Sequence, residues 1–75
     1  MNNKRRNQIA QAKHFIQQGI ILLNKVKEEE ENAFDNLSEG LQQTMRGEQM
    51  EENANILDET IDAINEAIDS LDEIF

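Results

Sequence analysis

Apolar residues recur along this chain at alternating spacings of three and four, the period of one face of an α-helix. In the first half Ile9, Ala12, Ile16, Gly19, Leu23 and Val26 keep that spacing; Glu30 interrupts it and Ala33 resumes it. In the second half Met50, Ala54, Leu57, Ile61, Ile64, Ile68, Leu71 and Phe75 keep it without a break. Phe15, Ile20, Leu22 and Phe34 widen the first stripe, and Ile56, Ala67 and Ile74 widen the second. A strict seam suits a two-stranded coiled coil, whereas a wider face suits a bundle. The residues expected to pack the core and the dimer contact are Ile9, Ile16, Ile20, Leu23, Val26, Phe34, Leu57, Ile61, Ile64, Ile68 and Leu71.

Asp35-Asn36-Leu37-Ser38-Glu39-Gly40 separates the two stripes, and its side chains offer the backbone alternatives to helix. The pattern predicts helices over about 4–35 and 45–74 with a bend over about 36–44. Ser38 is placed to cap a short turn running through Leu41 to Gln43, with Leu37 and Leu41 tucked under the bend. Gly47 marks either the start of the second helix or a close approach inside it. Rods of about 30 residues are roughly 45 Å long, and a short connection forces them antiparallel. A lone pair leaves the outer part of each wide stripe wet, and pairing two hairpins about a two-fold axis covers it. The expected fold is all-α: one antiparallel helical hairpin over residues 1–75 that dimerises into a four-helix bundle.

Length and composition sharpen the expectation of a dimer. A 75-residue chain builds a marginal core and needs disulfides, a metal or oligomerisation. Cys is absent and His14 is the single histidine, which leaves oligomerisation. Proline is absent and Phe is the only aromatic, a composition that favours helix over strand. The longest apolar run, Ile20-Ile21-Leu22-Leu23, is far short of a membrane span. Gln8, Gln11, Lys13, His14, Gln17 and Gln18 break any signal-peptide core after Lys4-Arg5-Arg6. The chain reads as soluble and cytoplasmic.

Charge is segregated: residues 1–27 carry +6 and no acid, and residues 28–75 carry −15, for a net charge of −9. Antiparallel packing is expected to set Lys4, Arg5 and Arg6 beside Asp69, Asp72 and Glu73. Near the bend, Glu28-Glu29-Glu30-Glu31 has little basic compensation, and Asp58, Asp62, Glu66 and Asp69 continue the acids along the second helix. A run of this kind either solvates the surface or meets a basic partner. The candidate partner-binding residues are Glu28, Glu29, Glu31, Arg46, Glu48, Asp58, Asp62, Glu66 and Asp69. Arg46, the only base in the acidic half, either neutralises local glutamates or anchors a contact at the bend.

No catalytic, cofactor or metal site is expected. A dimetal bundle needs inward glutamates with Glu-x-x-His pairs, and the residue three before His14 is Gln11. Glu30 is the only acid at a seam position and supplies too few ligands alone. Ser38, Thr44, Thr60 and Ser70 lack a histidine partner, and Gly19, Gly40 and Gly47 form no phosphate loop. Duplex nucleic acid needs a positive patch that this chain lacks.

The order of segments also resembles a family. It runs from Lys4-Arg5-Arg6 through Ala33-Phe34-Asp35-Asn36-Leu37-Ser38-Glu39-Gly40-Leu41-Gln42 and Arg46-Gly47-Glu48 with Met50-Glu51-Glu52. It closes on Ile61-Asp62-Ala63-Ile64-Asn65-Glu66-Ala67-Ile68-Asp69-Ser70-Leu71. Nearly the whole chain is similar to the small acidic helical proteins encoded by phages and prophages of Gram-positive bacteria, with Ser38 where such proteins carry Pro. That family has no assigned activity. The resemblance implies a phage or prophage gene acting inside an infected bacterium. The expected function is a non-enzymatic, homodimeric interaction module that binds a host or phage protein and inhibits host defence or regulation. An acidic DNA mimic and a structural coiled-coil component of a phage particle are the alternatives.

Overall fold

The structure, a computed structural model, describes residues 1–74; Phe75, the last member of the second stripe, lies outside the described residues. The described residues form three helices: α1 Asn3–Asp35, α2 Glu39–Gln42 and α3 Met45–Asp72. Each starts on a side chain suited to the task. Asn2, Ser38 and Thr44 are the N-caps, accepting from the backbone N–H of Arg5, Leu41 and Gly47. The one-turn α2 lets the chain reverse, and α1 packs along α3 as an antiparallel helical hairpin.

Gln42 closes the bend. Its side-chain amide donates to the carbonyls of Phe34 and Leu37 at 3.2 and 3.3 Å, the first of which also accepts from the Leu37 N–H at 3.0 Å. Gly47 lies directly beneath it, buried in the first turn of α3. Both readings of this glycine therefore hold at once. A Cβ here would fall 2.7 Å from the Gln42 Cα and press on the carbonyl beside it, and backbone cannot rotate away. Gly47→Ala is expected to destabilise the hairpin by about 1–3 kcal/mol despite alanine's better helix propensity. Gly40→Ala, with open space around it, should lack this penalty. Urea denaturation of the two variants side by side checks the contrast.

The seam is set by two ion pairs. Lys13 meets Asp72, and Lys27 meets Asp58 at 3.0 Å. The lysines are fourteen residues apart on α1 and their aspartates fourteen apart on α3 in reverse order, so one antiparallel register holds over two heptads. Along this seam α3 buries Gly47, Ala54, Ile61 and Ile68, each seven residues from the last. Across from this row α1 presents Ile9, Lys13, Ile20, Leu23, Lys27, Glu30 and Phe34, all half-buried.

This corrects half of the expected α1 stripe. Ala12, Gly19, Val26 and Ala33 are exposed, and their C-terminal neighbours Lys13, Ile20, Lys27 and Phe34 occupy the seam instead. The two lysines lay their methylene stems along the apolar surface and keep their ammonium groups at its edge. The pairing expected at the open end is corrected too. Asp72 is taken by Lys13, so Lys4, Arg5 and Arg6 lie past the end of α3 and make no ion pair among the described residues.

The result is a rod, with extents of 58 × 15 × 12 Å. Its radius of gyration is 17.3 Å, against about 11 Å for a compact chain of this length. Only Ala54, Ile61 and Ile68 are buried apolar side chains among the described residues. Two helices side by side cannot enclose more than that.

Candidate functional site

The hairpin has two unlike broad sides, and helix handedness dictates which residue lies on which. In an antiparallel pair of right-handed helices, positions just before the seam residues emerge on one side from both helices. Positions just after them emerge on the other.

The first side is apolar. From α1 it carries Ala12, Phe15, Gly19, Leu22 and Val26; from α3 it carries Ile56, Thr60, Ala63, Ala67 and Ser70, with Ile74 following just past the end of the helix. Phe15 is 65% exposed, Leu22 60% and Ile56 51%, so these are large apolar groups in water rather than seam residues at its margin. The two hydroxyls interrupting the α3 stripe are satisfied within the helix. Thr60 donates to the Ile56 carbonyl at 2.7 Å and Ser70 to the Glu66 carbonyl at 3.3 Å. Neither needs water, so the stripe behaves as apolar throughout.

The opposite side is acidic. Glu28 and Glu31 of α1 join Glu48, Glu51, Asp58, Asp62, Asp69 and Asp72 of α3 there, and all are exposed. Of the candidate partner-binding residues, Glu28, Glu31, Glu48, Asp58, Asp62 and Asp69 are thus brought together. Glu66 stands at the outer edge of α3, in a row with Glu52, Glu59 and Glu73. Glu29 and Arg46 fall on the apolar side near the bend and do not join the acidic group. Of the expected packing residues, Ile61 and Ile68 are buried, and Ile9, Ile20, Leu23, Phe34, Leu57, Ile64 and Leu71 are half-buried. Val26 is outside the seam and exposed, and Ile16, exposed at 37%, stands where the seam meets the apolar side.

Sequence reasoning missed Lys13, Lys27 and Gln42. The signal for the lysines was present: Lys13, Ile20, Lys27 and Phe34 recur every seven residues, as do Gly47, Ala54, Ile61 and Ile68. Lys27 has the most acidic surroundings of the seam. The hydrogen bond to Asp58 holds its ammonium above the ordinary lysine value of 10.5, and the charges of Asp58, Glu31 and Asp62 add to this against a cost of desolvation. A cation whose pKa rises on folding contributes stability below its unfolded value and loses it as pH climbs through the folded one. Alkaline unfolding above pH 10.5 is therefore expected to be shallower in Lys27→Met than in the parent chain, as followed by helicity.

The remaining polar groups serve the backbone. Ser38 and Thr44 cap helices, Thr60 and Ser70 bond back to carbonyls, and His14 is exposed with its ring 6.1 Å from that of Phe15. Among the described residues no three His, Cys, Asp or Glu are grouped to hold a metal ion. A shallow open depression near the bend is lined by Glu31, Phe34, Asp35, Met50, Glu51, Ala54 and Asn55, and three of these seven are carboxylates. No helix among the described residues is long and apolar enough to cross a membrane. No family model, curated protein or solved structure matches the chain.

Proposed function

We propose that this chain is a non-enzymatic protein–protein interaction module that works as a homodimeric four-helix bundle. One observation carries the reading: an apolar face and an acidic face lie on opposite sides of a hairpin whose own core is three side chains. The apolar stripe runs about 21 Å along α1 on a side 58 × 15 Å in extent, so the polar positions flanking it must join the contact to reach the roughly 800 Å² per partner of a standard stable interface. Pairing apolar face to apolar face completes a core, and it turns both acidic faces outward toward a basic partner. The resemblance to small acidic phage and prophage proteins makes a host defence or regulatory protein the class of partner, met in the cytoplasm of the bacterium.

A second reading, DNA mimicry, is favoured by the charge density of α3. Ten carboxylates stand between Glu48 and Glu73, about one per 4 Å of axis, against 3.4 Å per phosphate along one DNA strand. Lys13 and Lys27 occupy two of the ten, which opens the spacing to about 5 Å. The module reading embraces this one as the case in which the basic partner is a nucleic-acid-binding protein.

Affinity capture from bacterial lysate with two baits tests the proposal. The parent chain is expected to retain a basic protein at about 50 mM salt and release it by about 500 mM, where screening removes exposed charge attraction. A bait carrying Glu28→Lys, Glu31→Lys, Asp62→Lys and Asp69→Lys should retain none of it while keeping its helicity. Elution by duplex DNA would single out the mimic. Equal retention by both baits would contradict the acidic face as the binding surface.

A further inference from the structure

Resting on the dimer proposed above, the geometry points to one arrangement of the two copies: bends at opposite ends, each α1 lying antiparallel on the other about a two-fold axis at Gly19. The Lys4-Arg5-Arg6 turn of each copy then lies at the acidic bend end of the other, where Glu29 is the α1 glutamate on the apposed side.

The symmetry of the apolar face supports this. Gly19 is the midpoint of α1, sixteen residues from both Asn3 and Asp35. Reversing α1 about Gly19 exchanges Ala12 with Val26, sets Leu22 opposite Ile16 and sets Phe15 opposite Leu23, so every stripe position meets an apolar residue. The α3 stripe from Ile56 to Ile74 is centred on Asn65, and the register of the two ion pairs sets Asn65 level with Ile20. A single axis perpendicular to the rods therefore serves both stripes to within one residue. An isologous contact requires such a self-complementary patch.

Charge selects the same arrangement. Every helix has a positive N-terminal and a negative C-terminal end, yet α1 begins on three cations and ends among five acids. Both ends thus work against the helix dipole: among the described residues the three cations make no ion pair and project beyond α3, and Lys27 offsets only part of the acidic end through Glu31. An antiparallel second α1 supplies the missing partner at each end. Placing both bends at the same end would instead gather two net-acidic tips, in which Lys25, Lys27 and Arg46 are outnumbered by the acids from Glu28 to Glu52.

Gly19 gives the third support. A glycine inside a helix costs about 0.5–1 kcal/mol relative to alanine, and a Cβ here would meet nothing within 4 Å in the single chain. On a two-fold axis, where two α1 backbones cross closest, its missing side chain has a use.

Because the chain lacks Cys, a single Met45→Cys, at a position 83% exposed, can carry a nitroxide without disturbing the fold. The register sets Met45 about 30 Å along the rod from the level of Gly19, so pulsed dipolar spectroscopy is expected to give a label separation of about 60 Å. A separation under about 30 Å, the width of a bundle with labels, would overturn the arrangement while upholding the dimer. Absence of any intermolecular coupling, with a monomer in sedimentation, would overturn both. A charge exchange is the second test. Lys4→Glu, Arg5→Glu and Arg6→Glu together should raise the dimer Kd about tenfold or more. Adding Glu29→Lys, at the α1 glutamate on the apposed side, should recover part of it. No recovery would contradict the proposed contact.

Discussion

Ile61→Ala is expected to remove about 2–4 kcal/mol of stability, a large part of what a chain of this size possesses. At roughly 0.05–0.15 kcal/mol per residue, 75 residues give about 4–11 kcal/mol in all. Ile61 is one of three buried apolar side chains, at the middle of the Gly47–Ala54–Ile61–Ile68 row, and Ala54 next in that row is already small. Deleting three carbons therefore leaves a void that two straight helices cannot collapse to fill. Ile21→Ala is the matched control. Ile21 is 63% exposed on the acidic side, away from both the seam and the apolar face, and its truncation should change stability by less than about 0.5 kcal/mol. Urea denaturation at one fixed chain concentration compares them. Equal midpoints would mean that the row is not the core.

Leu22→Glu is expected to separate the copies while leaving each hairpin helical. Leu22 stands on the apolar face with its side chain in water, so the hairpin itself loses no contact of consequence. Glutamate is also an adequate helix former. In the dimer, however, the substitution buries an unpaired carboxylate, and symmetry buries it twice. At about 3 kcal/mol for each uncompensated charge, the dimer constant should weaken by roughly 10⁴-fold. Circular dichroism and sedimentation on the same samples read the two effects independently. Loss of helicity at concentrations where the parent chain is itself a monomer would place Leu22 in the hairpin core instead.

The sequence was informative where each helix has one reason to be apolar. The α3 seam reads directly from Leu57, Ile61, Ile64, Ile68 and Leu71, because the residues after each are acids or asparagine, and those before are small (Thr60, Ala63, Ala67 and Ser70) except Ile56. In α1 two apolar stripes overlap. Spacing alone favours Ala12, Gly19, Val26 and Ala33, whereas the hairpin uses Lys13, Ile20, Lys27 and Phe34. Hydrophobicity patterns discount lysine, although its stem covers apolar surface well and its ammonium meets Asp58 or Asp72. Those aspartates mark which stripe faces α3, and they lie more than thirty residues away in the chain. The bend was legible for a local reason, since Ser38 satisfies a backbone donor within its own turn. Gly47 was legible only as an anomaly, because the close approach of Gln42 is tertiary. The acids of the candidate surface were plain as composition. Their sorting onto one side, with Glu29 and Arg46 left on the other, required the seam.

Sedimentation equilibrium of the unmodified chain over about 1–100 μM tests the central claim most directly. The pairing of apolar faces predicts a species of twice the 8.7 kDa chain mass, dissociating to one chain only on dilution. A single 8.7 kDa species throughout that range, with full helicity, would contradict it.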